Sequence, residues 1–364
     1  MSRDKSKDSS SMLKNMTTTA VGGDAARTVT ASTEAELIAA ITAADNAGED
    51  ILFIGGGSNL VISDEGFSGT VIRIATRGLV VEEQDGGLAL LRAAAGENWD
   101  ATVEYSLAEG LSGLEALSGI PGCAGATPVQ NVGAYGADVS QTLVWARVWD
   151  RTAQEILQLS NEDLAFAYRD SLIKRTSTHG SPRYVVLEAA FLLKRGNESA
   201  PIRYAELARR LGVEAGQGAD AALVRQTVLE LRRSKGMVYD PQDPDSHSTG
   251  SFFTNPIVDA SVLEQLPHNA PNYPVEQAGM VKLSAAWLID QAGFGKGYGL
   301  EGTDGFQIAG GRASLSTKHT LAITNRGTAS AADILAIARA VRAGVAERFG
   351  ITLVNEPLLI GISL

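Results

Sequence analysis

The stretch ILFIGGGSNL, residues 51–60, joins a short apolar segment to three consecutive glycines, and it decides how the first half of the chain folds. Residues 51–54 are all apolar and predict a short buried strand. Glycines placed directly after a strand let backbone N–H groups approach a phosphate. The segment has neither the G-x-G-x-x-G pattern of a dinucleotide-binding domain nor the lysine of a P-loop, so a structural turn is an equally good interpretation.

A second glycine-rich segment, GIPGCAGATPVQNVGAYG, spans residues 119–136. It carries apolar and aromatic side chains that a flexible linker would lack. One interpretation is a structural loop between two lobes. Two such loops in the same half of the chain nevertheless fit one long ligand containing a pyrophosphate better than they fit two unrelated turns.

Hydrophobic periodicity predicts a mixture of strands and helices around these two loops. A capping box at Thr33 and Glu36 opens the first helix, and Gly110 is suited to end a later one. Strands are predicted at 26–30, 70–74, 88–93, 144–150 and 184–193. Further helices are predicted at 100–108, 204–211, 221–234, 261–266, 283–291 and 331–349.

The pattern changes from mostly strand to mostly helix near residue 196, which predicts a domain boundary there. We expect a disordered extension over residues 1–15, because its Ser, Lys and Asp side chains bury little apolar area. A first domain follows over 16–196, with two lobes near 16–80 and 81–196. The second domain is expected over 197–364.

Composition and charge exclude several classes of protein. The 364-residue chain is 44% hydrophobic and 20% charged, which is typical of a globular protein. Its net charge of −11 argues against a nucleic-acid-binding role, since phosphate backbones are bound by clustered Lys and Arg. The single cysteine, Cys123, rules out an internal disulfide framework and a cysteine-based zinc site. No apolar run is long enough to span a bilayer and residues 1–15 lack a signal-peptide core, so we expect a cytoplasmic protein.

Three short segments contain residues that could carry chemistry. Arg169, at the end of a predicted short helix, offers a fork of donors for a carboxylate or phosphate, or a simple surface pair with Asp170. Ser251 lies beside two phenylalanines and could donate a proton in a dry pocket or cap the next element. Glu356 near the C-terminus would usually be a solvated turn residue. The four histidines lack metal-ligand spacing, so we predict no metal site.

Taken together, these segments resemble the UDP-N-acetylenolpyruvoylglucosamine reductase family, flavin enzymes that complete the UDP-N-acetylmuramate precursor of bacterial peptidoglycan. The matching stretches follow the family's order and cover nearly all of residues 17–364. They are IGGGSNLVISDEGFSGTVI, AGENWDATVEYSLAEGLSGLEALSGIPGCAGATPVQNVGAYG, FAYRDSLIK, GSFFTNP, APNYP, KLSAAWLIDQAG and NEPLLIG.

The resemblance implies an α+β fold: a two-lobed FAD-binding domain of the vanillyl-alcohol-oxidase type, followed by a C-terminal α+β substrate-binding domain. Tyr204, Lys235 and the extended middle section are similar to the longer type of this family, in which a tyrosine-bearing loop folds over the substrate. The implied activity is reduction of UDP-N-acetylglucosamine enolpyruvate by NADPH through bound FAD. We also expect a monomer, and the lack of a long apolar run predicts no insertion into a membrane.

The resemblance assigns catalysis to Arg169, Ser251 and Glu356. Hydride addition to the vinyl methylene carbon leaves negative charge at C2, which Arg169 and a protonated Glu356 would stabilise before Ser251 protonates that carbon. The implied FAD-binding residues are Gly55, Gly56, Gly57, Ser58, Asn59, Ile120, Pro121, Gly122, Ala126, Thr127, Val129, Val132, Gly133, Tyr135 and Gly136. The residues implied to surround the UDP-sugar are Tyr204, Lys235, Asn255, Tyr273, Lys282 and His319.

Some features depart from the family pattern or leave another function open. His319 occupies a position where some relatives carry Gln. Residues 297–306 resemble an insertion relative to shorter members of the family. Cys123 is interpreted as a small packing residue. The alternative functions are a flavin oxidase of the same fold class, which would leave Ser251, Glu356 and Lys235 without a role, and a non-catalytic nucleotide-binding protein.

Overall fold

A computed structural model describes residues 12–178 and 180–364. Within these ranges the chain forms two compact units. Unit 1 contains residues 25–57 and 67–238. Unit 2 contains residues 12–24, 58–66 and 239–364. Among the described residues, no helix combines the length and the hydrophobicity needed to cross a membrane.

The secondary-structure elements are numbered in chain order. The strands are β1 Ala25–Ala31, β2 Ile51–Ile54, β3 Leu60–Ile62, β4 Phe67–Ile74, β5 Leu79–Gln84, β6 Leu88–Ala94, β7 Leu111–Ser112, β8 Gly133–Ala134, β9 Ala137–Asp138, β10 Leu143–Asp150, β11 Glu155–Ser160, β12 Ser177–Thr178, β13 Ser181–Pro182, β14 Tyr184–Arg195, β15 Ile257–Asp259, β16 Asn272–Pro274, β17 Met280–Leu283, β18 Ala313–Leu315, β19 Ile323–Asn325 and β20 Leu358–Ile360. The α-helices are α1 Glu34–Asn46, α2 Trp99–Ala108, α3 Asn161–Leu164, α4 Leu172–Arg175, α5 Ala205–Leu211, α6 Ala221–Ser234, α7 Ala285–Gln291, α8 Phe306–Ala309 and α9 Ala331–Phe349.

The first sheet of unit 1 is parallel, in the strand order β1-β4-β2. The predicted capping box is confirmed, since the Thr33 side chain accepts from the Glu36 N–H while the Glu36 side chain accepts from the Thr33 N–H. Leu37 and Ile41 of the helix behind this cap are fully buried and pack in one cluster with Ile72 of β4. Strand β2 covers the predicted residues 51–54 and delivers the first glycine loop.

The second sheet of unit 1 is antiparallel, in the order β11-β10-β14-β6-β5. Its central strand β14 contributes Phe191, whose ring lies 5.5 Å from that of Trp99 at the start of α2. Both rings are fully buried. Helix α2 therefore packs its first turn against this sheet, and it ends at the predicted position before Gly110, which has a φ of +68°.

Residues 197–238 belong to unit 1, so the boundary falls after Val238 and not near residue 196 as the sequence predicts. The side chains of Leu207 on α5 and Val228 on α6 form a small shared core. Arg225 of α6 makes a two-pronged ion pair with Asp100 of α2, at 2.6 and 3.0 Å. The change from strand to helix marks a change of local structure only, because these long-range contacts decide which unit the helices join.

Unit 2 contains the antiparallel sheet β15-β17-β16, the pair β18-β19 and the parallel pair β20-β3. The helix predicted at 331–349 is confirmed as α9, and Ser330 and Asp333 form a capping box at its start. Its apolar stripe is buried as expected, and the stripe consists of Ile334, Ile337, Ala338, Val341 and Val345. The sequence predicted mostly helix here, and it missed the short strands because each has only three or four residues.

The prediction of a disordered extension over residues 1–15 is wrong for its last four residues. Residues 1–11 lie outside the described part of the chain. Leu13 is fully buried and opens a short 3₁₀ turn that ends at Met16. The Leu13 N–H donates to the Gly23 carbonyl at 2.9 Å. A buried leucine and a backbone hydrogen bond order this part of the chain in spite of its polar composition.

A buried carboxylate, Asp245, ties together the loops of unit 2. It is 4% exposed and accepts from the Thr317 N–H at 2.9 Å, from the Thr317 hydroxyl at 2.5 Å and from Arg326 at 2.8 Å. Burial alone would raise the pKa of Asp245, but the bonds from Thr317 and the Arg326 guanidinium hold that pKa below its usual value.

We expect Asp245→Asn to lower the free energy of unfolding at pH 7 by about 3 kcal/mol, because it leaves Arg326 without its carboxylate. A depressed folded-state pKa gives stability that is complete above the unfolded-state pKa and is lost as the pH falls through the folded-state pKa. Urea unfolding of wild type and variant from neutral to acid pH should show the difference shrinking in acid. The control Asp243→Asn breaks the more exposed pair with Lys318, at a cost below about 1 kcal/mol. A difference independent of pH would contradict this assignment.

Candidate functional site

The two glycine-rich segments predicted to bind one ligand touch each other in unit 1. A Cβ atom added to Gly56 would lie 2.6 Å from the Cα of Gly122, so backbone meets backbone there. A Cβ added to Gly55 would lie 2.2 Å from the sulfur of Cys123. Gly57 has a φ of +61°, which favours glycine. Glycine is therefore required at these positions by contact and by conformation.

The first glycine loop presents backbone donors. The N–H groups of Gly55 and Gly57 donate to no other described residue, which leaves both open to an acceptor on a ligand. Burial raises the pKa of the Cys123 thiol although the N–H groups of Ala126, Gly56 and Gly125 surround it, so this cysteine is a packing residue as predicted. Two backbone N–H groups on a loop without side chains could bind an anion such as a phosphate.

Asp100 fixes the start of the second glycine loop, a role that no sequence pattern indicates. Its Oδ1 accepts from the Gly119 N–H at 2.6 Å and from Arg225 at 2.6 Å. Burial alone would raise the pKa of Asp100, but the Arg225 guanidinium and the Gly119 N–H hold it below its usual value. The carboxylate is thus charged and locks Gly119 in place.

Arg169 docks on the end of the second glycine segment. Its Nη2 donates to the Gly133 carbonyl at 2.7 Å and its Nη1 to the Asn131 carbonyl at 3.5 Å. The buried Asn131 side chain donates in return to the Ala167 carbonyl at 3.2 Å. The predicted short helix before Arg169 is wrong: α3 ends earlier, and Arg169 lies in a tight turn with a φ of +55°. Such strained backbone is common where a side chain must be aimed.

An aromatic and cationic cluster lies beside the same segment. The rings of Tyr135 and Tyr204 meet edge to face with centroids 5.4 Å apart. The Lys235 ammonium lies 6.0 Å from the centre of the Tyr135 ring and 3.4 Å from a Glu206 carboxylate oxygen. Burial raises the pKa of Tyr135 to about 12, so this phenol stays neutral. The structure therefore brings the predicted Tyr135, Tyr204 and Lys235 together.

In unit 2, packing fixes the backbone of the segment that contains Ser251. Phe252 and Phe253 follow it, are 1% and 2% exposed, and contact each other edge to face at 5.1 Å. The Phe252 N–H donates to the Leu321 carbonyl at 2.7 Å. Ser251 forms an isolated β-bridge with Ala322, the residue after Leu321.

The same segment aligns Glu356 and Asn59 with Ser251. The Glu356 N–H donates to the Phe252 carbonyl at 2.8 Å, and Phe253 forms a bridge with Asn355. The Asn59 side chain donates to the Glu356 carbonyl at 3.4 Å. Ser251 and Glu356 thus lie on adjoining backbone segments of unit 2, and the loop residue Asn59 borders the second of them.

The remaining residues predicted in unit 2 lie on neighbouring elements. Tyr273 and Lys282 face each other across β16 and β17, with the ammonium 5.9 Å from the ring centre. The side-chain oxygen of Asn255 accepts a hydrogen bond from the Ala285 N–H at 2.9 Å. The His319 carbonyl accepts from the Ala322 N–H at 3.1 Å, beside the bridge to Ser251.

The predicted site residues divide between the two units. Unit 1 holds Arg169, Tyr204 and Lys235 together with Gly55, Gly56, Gly57, Ile120, Pro121, Gly122, Ala126, Thr127, Val129, Val132, Gly133, Tyr135 and Gly136. Unit 2 holds Ser58, Asn59, Ser251, Asn255, Tyr273, Lys282, His319 and Glu356. In the described part of the chain, no group of His, Cys, Asp and Glu side chains has the arrangement of a metal site.

Family models match both parts of the chain. An FAD binding domain matches residues 25–159. The C-terminal domain of UDP-N-acetylenolpyruvoylglucosamine reductase matches residues 241–360. The first match contains both contacting glycine loops, and the second contains the Ser251 and Glu356 segments.

Relatives of known name match along nearly the whole chain. The UDP-N-acetylenolpyruvoylglucosamine reductase of Thermobifida fusca is 51% identical, with 97% of each chain covered. That of Saccharopolyspora erythraea is 50% identical, covering 97% of this chain and 96% of the relative. The crystal structure of the reductase from Thermus caldophilus is similar with a TM-score of 0.63 and 25% identity, covering 96% of this chain and 97% of that chain.

The fold and the glycine loops define a flavoprotein with an FAD-binding domain of the vanillyl-alcohol-oxidase type and a further α+β domain, which confirms the predicted fold class. The chain belongs to the UDP-N-acetylenolpyruvoylglucosamine reductase family. It is accordingly an oxidoreductase of peptidoglycan synthesis, and the cofactors of this family are FAD and NADPH. Cytoplasmic location and the monomeric state stay predictions.

The contact between the glycine loops makes a testable prediction about FAD. Gly55→Ala places a methyl group against the Cys123 sulfur, and we expect overpacking of about 1–3 kcal/mol to reduce the FAD retained by the purified protein. Adding Cys123→Ala removes the sulfur and leaves the Cys123 Cβ at 3.4 Å, so the double variant should regain FAD. The measurement is the ratio of flavin to protein absorbance.

Two controls accompany this experiment. Cys123→Ala alone should retain FAD, because it only removes a sulfur atom from a packed loop. Gly56→Ala should lose FAD whether or not Cys123 is replaced, because its clash is with the Gly122 backbone. If Cys123→Ala restores neither or both of the glycine variants, the loops do not meet as described.

Proposed function

We propose that this chain reduces the enolpyruvyl group of UDP-N-acetylglucosamine enolpyruvate to give UDP-N-acetylmuramate, with NADPH as the reductant. The observation that carries the proposal is the identity of 51% with a reductase of that name across 97% of both chains. The contacting glycine loops supply the cradle for the cofactor. When bound, FAD supplies the hydride chemistry, accepting hydride from NADPH and delivering it to the vinyl methylene carbon.

Hydride delivery to the methylene carbon leaves negative charge at C2 and on the substrate carboxylate. We assign stabilisation of this charge to Arg169 and Glu356. Arg169 is a permanent cation whose guanidinium is anchored by the Gly133 carbonyl, so it needs little reorganisation to meet an anion. Glu356 has to carry a proton to donate a hydrogen bond to the same charge, since an ionised carboxylate would repel it.

Ser251 is proposed to deliver the proton to C2. An alcohol is a weak acid, but a developing carbanion is a strong base, so the proton can transfer downhill. The support is local: the buried Phe252 and Phe253 hold the backbone after Ser251 in one conformation, and the Glu356 segment pairs with it. A proton donor held on rigid backbone keeps its geometry through the reaction.

The sugar nucleotide is proposed to be bound by cationic and aromatic residues. Lys235 and Tyr204 would bind the diphosphate and exclude water, which fits their place beside the half-buried Tyr135. Asn255, Tyr273, Lys282 and His319 are proposed to contact the rest of the UDP-sugar. The Lys282 ammonium over the Tyr273 ring gives this set its own positive charge.

One anaerobic experiment tests the proposed function as a whole. NADPH should bleach the flavin absorbance of the purified protein, and UDP-N-acetylglucosamine enolpyruvate should then restore it. Restoration by oxygen with no response to the enolpyruvyl compound would favour a flavin oxidase. A colourless protein that binds no FAD would favour a non-catalytic nucleotide-binding protein.

Ser251→Ala should retain FAD and oxidise NADPH at the wild-type rate but lose product formation by about 10²–10⁴-fold, the usual contribution of a positioned acid. Stopped-flow traces of flavin reduction and product analysis by mass spectrometry measure the two steps. The control Ser261→Ala removes an exposed hydroxyl that bonds only Asp259, and it should behave as wild type. Product formed by Ser251→Ala at a near-normal rate would remove Ser251 from the proton-donor role.

Arg169→Met should slow flavin reoxidation by the enolpyruvyl substrate by about 10²–10³-fold, as expected for loss of one anion-stabilising donor. Flavin reduction by NADPH should change much less, because that half-reaction creates no charge at the substrate carboxylate. The control is Arg175→Met, which removes the exposed arginine at the end of α4 that pairs with Asp170. Equal losses in both half-reactions would show that Arg169 acts on the fold or on FAD and not on the substrate.

A further inference from the structure

Arg232, in the last turn of α6, is a half-buried cation that the sequence did not single out. Its Nη2 donates to the Met237 carbonyl at 2.8 Å. Its Nε atom is buried and has no hydrogen-bond partner among the described residues. Burial lowers the pKa of Arg232, against the opposing influence of Tyr135 and Asp100. A buried N–H without an acceptor is costly, so a structural role alone does not account for the position of this Nε.

The unsatisfied side of Arg232 lies against the second glycine loop. A Cβ atom added to Gly119 would lie 3.3 Å from both the Cδ and the Nε of Arg232. The neighbouring carboxylate, Asp100, is already neutralised by Arg225 and the Gly119 N–H. Within the described ranges Arg232 forms no salt bridge. The positive charge of Arg232 therefore has no matching carboxylate among the described residues.

A second cation reinforces this charge. Lys235, one turn further along, lies 6.0 Å from the centre of the Tyr135 ring. Tyr135 also interacts electrostatically with Arg232, so the two cations border the same phenol. Glu206 is the carboxylate that faces Lys235, at 3.4 Å, and it also lies 3.9 Å from Arg210. Glu206 thus shares its charge with two cations and leaves none for Arg232.

Capping of α6 is the simplest structural role for Arg232. A basic side chain in the last helical turn commonly bonds the terminal carbonyls and complements the helix dipole. The bond to Met237 fulfils that role with one terminal nitrogen. Capping does not require the Nε to be buried beside Gly119. The cap therefore explains the position of Nη2 and leaves that of Nε unexplained.

We propose that Arg232 binds a phosphate oxygen of a nucleotide diphosphate, acting beside Lys235. Arg suits this task because its fork of donors matches phosphate geometry. The proposal rests on the proposed function, which supplies two sources of this chemistry. One is the pyrophosphate of FAD, because Arg232 lies beside Gly119 of the second glycine loop. The other is the diphosphate of the UDP-sugar, because Arg232 lies near Lys235, which is proposed to bind that diphosphate.

Binding experiments on the purified holoenzyme separate the two sources without measuring turnover. Arg232→Met is compared with Arg233→Met, which removes the adjacent, exposed arginine of the same helix. UDP and uridine are titrated while the flavin absorbance is followed, and FAD release on dilution is followed by flavin fluorescence. Uridine carries the base and sugar of UDP without its phosphates, so the two affinities isolate the phosphate contribution.

If the UDP-sugar is the source, Arg232→Met should weaken UDP binding about tenfold or more, as expected for one charge-assisted hydrogen bond, and leave uridine binding unchanged. If FAD is the source, Arg232→Met should release FAD faster and leave the UDP affinity unchanged. Arg233→Met should alter neither. Wild-type affinities for both UDP and FAD in Arg232→Met would overturn the proposal.

Two further results keep the test decisive. If Arg232→Met does not accumulate as folded holoenzyme, Arg232→Lys gives the same comparison, because it keeps the charge and loses the Nε donor; unchanged UDP and FAD binding there overturns the proposal. If wild type binds no UDP, the proposed substrate is wrong, and FAD release alone then decides the role of Arg232. The two hypotheses therefore fail separately.

Discussion

The close approach of Gly56 to Gly122 is the constraint on which the proposed cofactor site depends. The backbone of Gly122 occupies the space that a side chain at position 56 would need. The two loops are therefore held in one geometry. Gly55 meets the sulfur of Cys123 in the same way, which makes the lone cysteine part of the packing. Donors arranged on such a rigid backbone need no reorganisation to meet an anion, and this is why we propose the two loops as the site of the FAD pyrophosphate.

The second glycine segment also organises the charged residues of unit 1. Asp100 holds its first residue by the backbone N–H, and Arg169 holds its end by the Gly133 carbonyl. The Arg232 side chain lies beside Gly119. Backbone carbonyl oxygens of this segment orient the Arg169 guanidinium, and a backbone N–H of the same segment orients the Asp100 carboxylate. Charge placement and loop conformation in unit 1 therefore depend on each other.

Unit 2 positions its candidate residues by a different principle, the burial of aromatic side chains. Phe252 and Phe253 lie inside the core, and the hydrogen bonds of Phe252 set the register of the neighbouring segments. Ser251 precedes these rings, and Glu356 lies on the segment bonded to them. The sequence GSFFTNP shows a serine beside two aromatics, but it does not show that Leu321 and Glu356 supply the partners.

The sequence alone determined the features that depend on neighbours along the chain. The capping box at Thr33, the helices at 221–234 and 331–349 and the strand before the first glycine loop follow from local propensity and periodicity. Tertiary structure decided what depends on distant partners. Residues 197–238 join unit 1 because Arg225 reaches Asp100, and Arg169 is aimed by a turn that Asn131 and Gly133 hold. The Nε of Arg232 is buried beside a loop more than a hundred residues earlier. Contacts of this kind leave no periodic trace in the sequence, because either partner alone is an ordinary charged or small residue.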